Sequence, residues 1–323
     1  MPKFSIVIPL YNKEKHIKRA LDSVLSQNVS DYELLIIDDG STDKSAEIIK
    51  AYADPRIHLI HQENKGVSAA RNKGIEEAKA DHITFLDADD EWKPDFLQTI
   101  SQMIEQFPEA GAYATYFIKI GIRGKEIKKS LMGIPNKHWS GILPNYLKIL
   151  SLSENHPFHT SSICVRKDIF ERIGYFSTKA TRLEDIDMWL RISFDYPIAY
   201  NSKKCTIYHR DVENSICNSY LPKEICFEET IAKAFEDGKI DQNMKPHVKN
   251  LLSMIKCEYG RRYLLANKRA EARFLANAAG SKRLDILLTR IFIIFVSYLP
   301  YGIIRLIFKF SNIKPEFISK DSE

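Results

Sequence analysis

Along the first hundred residues, short continuous apolar runs alternate with stretches in which apolar positions recur every three or four residues. A run of four to eight apolar residues suits a strand buried on both faces, and the longer period suits a helix laid across it. Phe4 to Pro9 is the first such run. Ile17, Ala20, Leu21, Val24 and Leu25 then share one helical face, and Tyr32 to Asp38 returns to a strand. The alternation continues with a helix from Ser41 or Thr42, a strand over Ile57 to His61, a helix over Val67 to Ala78 and a strand over His82 to Leu86. Strands separated by helical crossovers pair in parallel, so four parallel strands are expected.

Pro94 suits the first turn of a further helix whose buried face is Phe96, Leu97, Ile100, Met103, Ile104 and Phe107. Ala112 to Ile120 reads as a strand, and Met132 to Pro157, mixing Gly, Pro, Asn and aromatics, reads as long loops. From Lys223 to Lys282 the pattern is helical and charged. The run DILLTRIFIIFVSYLPYGIIRLIFKF is the most apolar of the chain, but Arg290, Arg305 and Lys309 cut it, and Pro300 and Gly302 break it. A spanning helix needs about 20 predominantly apolar residues. This stretch therefore reads as a pair of helices lying on an anionic membrane surface, the alternative being helices packed on the main domain or on a partner copy. The expected organisation is a principal α/β domain over 1–215, a helical segment over 216–284 and membrane-associated amphipathic helices over 285–323.

Composition narrows the partners. With 47 basic against 42 acidic side chains the net charge is only +5, and no basic run interleaves with aromatics, so nucleic acid is not expected. Five cysteines, Cys164, Cys205, Cys217, Cys226 and Cys257, show no CxxC pair and read as free thiols of a reducing compartment. MPKFSIVIPLYNK enters a strand without the apolar stretch and cleavage site of a secretory signal. The expectation is a cytoplasmic protein, peripheral on the inner face of the plasma membrane.

Neither a GxGxxG nor a GxxxxGK[ST] follows any strand, which disfavours dehydrogenase and P-loop chemistry. Acidic residues stand at the strand ends instead: Asp38 and Asp39 after the second, Asp87, Asp89 and Asp90 after the fourth. Ligands of open α/β sheets bind outside the carboxyl ends of the strands. Carboxylates placed there repel a diphosphate unless a hard cation lies between them, and Mg²⁺ or Mn²⁺ uses one or two carboxylates plus substrate phosphates. An Asp run alone is equally a feature of turns, so the combination carries the reading.

Five segments in order, SIVIPLYNKEKHIKRALDSVLSQ, LLIIDDGSTD, GVSAARNKGI, ITFLDADDEW and LEDIDMWLR, resemble the family 2 glycosyltransferases from about Lys3 to about His209. The resemblance implies a GT-A fold, a Rossmann-like, mostly parallel sheet flanked by helices, here with an α-helical C-terminal appendage. It implies an inverting enzyme moving a sugar from a nucleotide sugar, with UDP the expected nucleotide, to a hydroxyl of a glycan or lipid-linked acceptor in cell-surface polysaccharide biosynthesis. By position, Pro9 and Tyr11 would line the base pocket and Asp39 would accept from the base. Asn64 and Arg71 would add nucleotide contacts, Asp87 would lie near the ribose, and Asp89 would hold Mg²⁺ or Mn²⁺. His209 matches a late metal-side histidine, its alternative being structural. Of the pair Glu184 and Asp185, Asp185 would be the general base, its alternative being a helix cap. Asp187 and Arg191 read as salt-bridge partners, and Trp189 as core or an acceptor-stacking ring. A non-catalytic sugar-nucleotide-binding scaffold at the membrane is the competing function, and an oligomer is compatible with either.

Overall fold

The N-terminal alternation folds as expected into four parallel strands: β1 (Phe4–Leu10), β2 (Tyr32–Asp38), β3 (Ile57–His61) and β4 (His82–Phe85). The computed structural model describes residues 2–121, 124–127, 131–135, 138–153, 156–180, 182–210 and 225–308. β1 lies between β2 and β4, with Phe4 level with both Tyr32 and His82, and β3 flanks β2. Every residue of β1 and β2 is buried. The side-chain period of two then divides the core: Ile6 and Ile8 pack in the layer with α1 (Ile17–Leu25), while Val7 faces the other layer with Ile75 and Phe85.

Beyond β4 the sheet is mixed rather than parallel. β5 (Glu91–Trp92), β6 (Ala112–Ile120), β7 (Ser140–Ile142), β8 (Ile163–Arg166) and β9 (Ile198–His209) complete the order β3-β2-β1-β4-β8-β6-β9-β5, with β7 on β9. β8 runs antiparallel to both β4 and β6, whereas β6 and β9 run parallel with register shifts around Tyr116.

The helices of this region are α2 (Ser45–Lys50), α3 (Val67–Glu77), α4 (Phe96–Gln106), α5 (Tyr146–Leu152), α6 (Lys167–Ile173) and α7 (Glu184–Asp195). α2 starts later than the pattern suggests, because residues 41–43 serve the neighbouring loop: the Asn12 side chain accepts from the amides of Thr42 and Asp43. The expected loops of 132–157 contain β7 and α5. Asn145 caps α5 by accepting from the Lys148 amide at 2.8 Å, and Tyr146, Leu147, Ile149 and Leu150 are buried, a helix too short to stand out by period. α3 presses directly on the sheet, since a Cβ on Gly74 would lie 2.3 Å from Val7 Cγ1.

The C-terminal part is helical as expected: α8 (Glu228–Glu236), α9 (Lys245–Leu265), α10 (Arg269–Ala278), α11 (Leu284–Val296) and α12 (Tyr301–Phe308). The expected boundary at 215/216, Cys217, Lys309 and the last part of the 285–323 segment lie outside the described residues. The helical part docks on α5 of the α/β part: His247 Nδ1 of α9 is 2.7 Å from Ser151 Oγ, and Arg283, just before α11, donates to the Ser151 carbonyl. α9 to α12 share a separate core of Leu264, Leu265, Ala272, Ala276, Ile293 and Ile304. Among the described residues no helix is long and apolar enough to cross a membrane, and the four described cysteines are free.

Candidate active site

Because β1 to β4 are parallel, their carboxyl ends and following loops meet on one edge. Pro9 is buried as the penultimate residue of β1, and Tyr11 just beyond the strand is 46% exposed. Asn12, in the left-handed region at φ 49, folds this loop against the one after β2. Asp38 holds that second loop, accepting from the Ser41 amide at 3.0 Å and standing 2.8 Å from His61 Nδ1. Asp39, 3% exposed, accepts from Gln62 Nε2 and from the amides of Lys65 and Gly66 at 2.7 to 2.9 Å. A carboxylate offers about four acceptor sites, so one stays available for a ligand. Asn64 is exposed on the same rim, its backbone packed against Gly40, whose φ of +76 makes the tight turn after Asp39.

After β4 the three aspartates part company. Asp87 accepts from Arg71 at 2.8 Å, and its own amide donates to Ser161 Oγ. Asp89 points to Lys13, with Nζ at 2.7 Å, while its carbonyl accepts from Arg19. Asp90 is fully buried, with Ser161 Oγ at 2.6 Å and the His209 amide at 3.2 Å. Burial, then the charges of Asp89 and Asp87, push its pKa well above the ordinary aspartate value, and its hydrogen bonds tie the loop to Ser161 and to the end of β9. His209 Nε2 lies 3.0 Å from Glu91 Oε1; the histidine is thus tied to Glu91 on the neighbouring strand.

Arg71, from α3, joins the strand-end loops to α7. It is 3% exposed and donates through Nη2 to Asp87 and through Nη1 to Glu184, both at 2.8 Å, with its guanidinium 5.5 Å from the Phe176 ring. Burial opposes its charge, and Asp87 and Glu184 more than offset this, leaving its pKa above the ordinary arginine value. Glu184 and Asp185 open α7 immediately after Leu183, a non-glycine residue at φ 63. Left-handed backbone costs about 1 to 2 kcal/mol for an L-residue and concentrates at functional sites. Asp185 accepts from the Ile186 amide at 2.8 Å and from Thr160 Oγ1 at 3.4 Å. Its pKa is raised chiefly by burial, with Arg71 pulling down and Asp87 pushing up. Glu184 is likewise raised, by burial and the Asp185 charge against Arg71.

Pro9, Tyr11, Asp39, Asn64, Asp87 and Asp89 thus share one edge of the sheet, and Arg71 brings Glu184 and Asp185 to it. Asp187 pairs with Arg191 at 3.0 Å and Thr230 at 2.5 Å. Trp189 is core, 1% exposed among Phe85, Phe158 and Phe176. Lys13, Arg19, Thr160 and Ser161 were not anticipated. The cations of KEKHIKR offered a signal, being the positive charge nearest the first strand end; Thr160 and Ser161 offered none.

A mixed sheet whose parallel half gathers carboxylates at its carboxyl edge, with a second acidic pair delivered by a later helix, is the GT-A arrangement. Residues 1–349 of S. aureus TarS, solved in complex with UDP-GlcNAc, share this fold at a TM-score of 0.58, with 18% identity over 92% of this chain and 91% of that one. The model of glycosyl transferase family 2 matches residues 5–174, more than half of the sequence, and the chain belongs to that family. The putative teichuronic acid biosynthesis glycosyltransferase TuaG of Bacillus subtilis is 28% identical over 68% of this chain and 82% of its own length. Glycosyltransferase GlyA of Streptococcus pneumoniae is 37% identical over 36% of this chain, a match that spans only 17% of GlyA.

Proposed function

We propose that this protein is an inverting glycosyltransferase that moves a sugar from a UDP-linked donor to a hydroxyl of a glycan or lipid-linked acceptor. The observation that carries the reading is the Arg71 bridge, which holds Asp87 of the donor-side loop and Glu184 of the α7 pair on one guanidinium. Family membership and the fold shared with a UDP-GlcNAc complex support it.

In this reading Pro9, Tyr11, Asn64 and the free acceptor site of Asp39 hold the base, and Asp87 the ribose. Asp185 takes the proton of the acceptor hydroxyl. The oxygen attacks the anomeric carbon from the face opposite the nucleotide, the bond to the diphosphate breaks, and its electron pair leaves on the phosphate oxygen, inverting configuration. The raised pKa of Asp185 makes it a stronger base than an ordinary carboxylate. Asp89 is a hard oxygen donor suited to Mg²⁺ or Mn²⁺. Among the described residues no group of three or more His, Cys, Asp and Glu could hold a metal ion, and Mg²⁺ or Mn²⁺ commonly takes one or two carboxylates plus substrate phosphates. Such an ion, when bound, supplies countercharge to the departing diphosphate. Likeness to TuaG supports a role in cell-surface polysaccharide synthesis. The apolar C-terminal helices support work at a membrane surface. A panel of nucleotide sugars assayed for released nucleoside diphosphate tests the proposal, with UDP-sugars expected to be turned over in an acceptor-dependent way. Release from no donor, or release unaffected by Asp185→Asn, would remove it.

A further inference from the structure

The solvent side of α11 carries a stripe of exposed apolar side chains. Ile286, Ile293 and Val296 point inward, while Leu284, Leu288, Ile291, Phe295 and Tyr298, at helical spacing, face out; Leu288 is 57%, Phe295 66% and Tyr298 71% exposed. α12 continues the surface with Ile303, Leu306 and Ile307, and a Phe292–Phe308 contact at 5.9 Å locks the two helices together. A water-facing stripe of this size on two helices is not explained by folding.

The stripe ends at a cation-lined notch. Tyr298 and Ser297 border a cavity of about 550 Å³ whose other walls include Lys268, Arg269 and Arg273, three cations against the single carboxylate Glu271. Arg269 donates to the Leu299 carbonyl at 3.3 Å, and Arg273 to Ser297 at 3.4 Å while its guanidinium lies 4.8 Å from the Tyr298 ring. These bonds leave most of their donors over, and among the described residues none of the three cations is ion-paired to a carboxylate. A fixed group of cations beside an exposed apolar stripe, joined by an amphipathic tyrosine, has the charge and depth profile of a bilayer interface.

We infer that the α10–α11 notch is a headgroup site for anionic phospholipid, seated by the apolar stripe of α11 and α12 on the bilayer. The phosphate meets Lys268, Arg269 and Arg273 while Leu288, Phe295 and Leu306 enter the acyl boundary. This rests on the membrane-surface reading above and adds to it a headgroup site and the residues that select an anionic lipid.

Flotation of the full-length protein with phosphatidylcholine vesicles, with and without added phosphatidylglycerol, tests both layers. The intact protein prefers the anionic vesicles. Arg269→Gln with Arg273→Gln lowers that affinity about thirtyfold and leaves weak binding to neutral vesicles unchanged, given about one kcal/mol per basic residue at an anionic surface. Lys268→Gln, whose exposed side chain carries little of the fold, gives a smaller loss of the same selectivity and guards against misfolding of the double variant. Leu288→Ser with Phe295→Ser weakens binding to both vesicle types. Unaltered anionic preference in the three glutamine positions, with binding lost in the serine pair, overturns the headgroup site while leaving the membrane reading intact. If no form floats and the serine pair instead dissolves a dimer in sedimentation velocity, the face joins two copies and both readings fall.

Discussion

At the residue scale the proposed general base is Asp185, and its environment makes two linked expectations. Asp185→Asn keeps size and the Ile186 contact but cannot take a proton, so transfer falls by about 10²-fold or more while donor affinity by calorimetry hardly changes. A capping role predicts near-normal transfer, because Asn caps almost as well as Asp. The raised pKa also fixes a sign. Between its unfolded value, near 3.8, and its higher folded value, Asp185 binds more proton in the native state than in the unfolded one, so its contribution to stability falls as pH rises through that window. The base becomes competent over the same window. Urea midpoints of the intact protein and the Asn variant should therefore diverge in favour of the variant as pH rises, while transfer by the intact protein gains its acid limb. Parallel midpoints at every pH would contradict the assignment.

At the scale of elements, α3 is the part whose position matters most, because it carries Arg71 into the buried bridge. Its closeness to β1 depends on Gly74, where an added methyl would overlap Val7. Overpacking of this kind costs about 1 to 3 kcal/mol. Gly74→Ala is expected to lower the urea midpoint accordingly and, by shifting Arg71, to weaken nucleotide binding as well. Gly66→Ala provides the contrast: it meets no atom within 4 Å but sits at φ 87, so its cost is backbone strain local to the loop that donates to Asp39. Equal thermal stability of Gly74→Ala and the intact protein would show that α3 can retreat without cost.

At the scale of the whole molecule, the proposed donor site draws on loops from β1, β2 and β4 at once, so ligand and fold would stabilise one another by mass action. UDP is expected to raise the melting temperature when Mg²⁺ or Mn²⁺ is present and to do little in chelator. The intact structure has Lys13 at Asp89, 2.7 Å away. Asp89→Ala should erase the metal-dependent part of the shift without unfolding the protein, as measured by differential scanning fluorimetry and circular dichroism. A UDP shift of the same size in chelator, with or without Asp89, would remove the cation from the donor site.

Much of the fold was legible because burial imposes a period that local sequence must obey: β2 and β3 and the strand Ala112–Ile120 begin and end where their apolar runs do. The acidic candidates were legible for a related reason, since a parallel strand followed by its helix puts Asp39 and Asp87 on one edge wherever the rest of the chain goes. Short elements such as β7 and α5 were not, because a few residues carry no measurable period. Pairings across long separations were also decided only by the tertiary structure. Arg71 meets Glu184 across 113 positions, Lys13 meets Asp89 across 76, and His209 meets Glu91 across 118. The same limit governs α11, which carries apolar residues on its outer as well as its inner side: the sequence by itself determined that this helix must bury a face, and only packing against α9 and α10 decided which face remained for something else to cover.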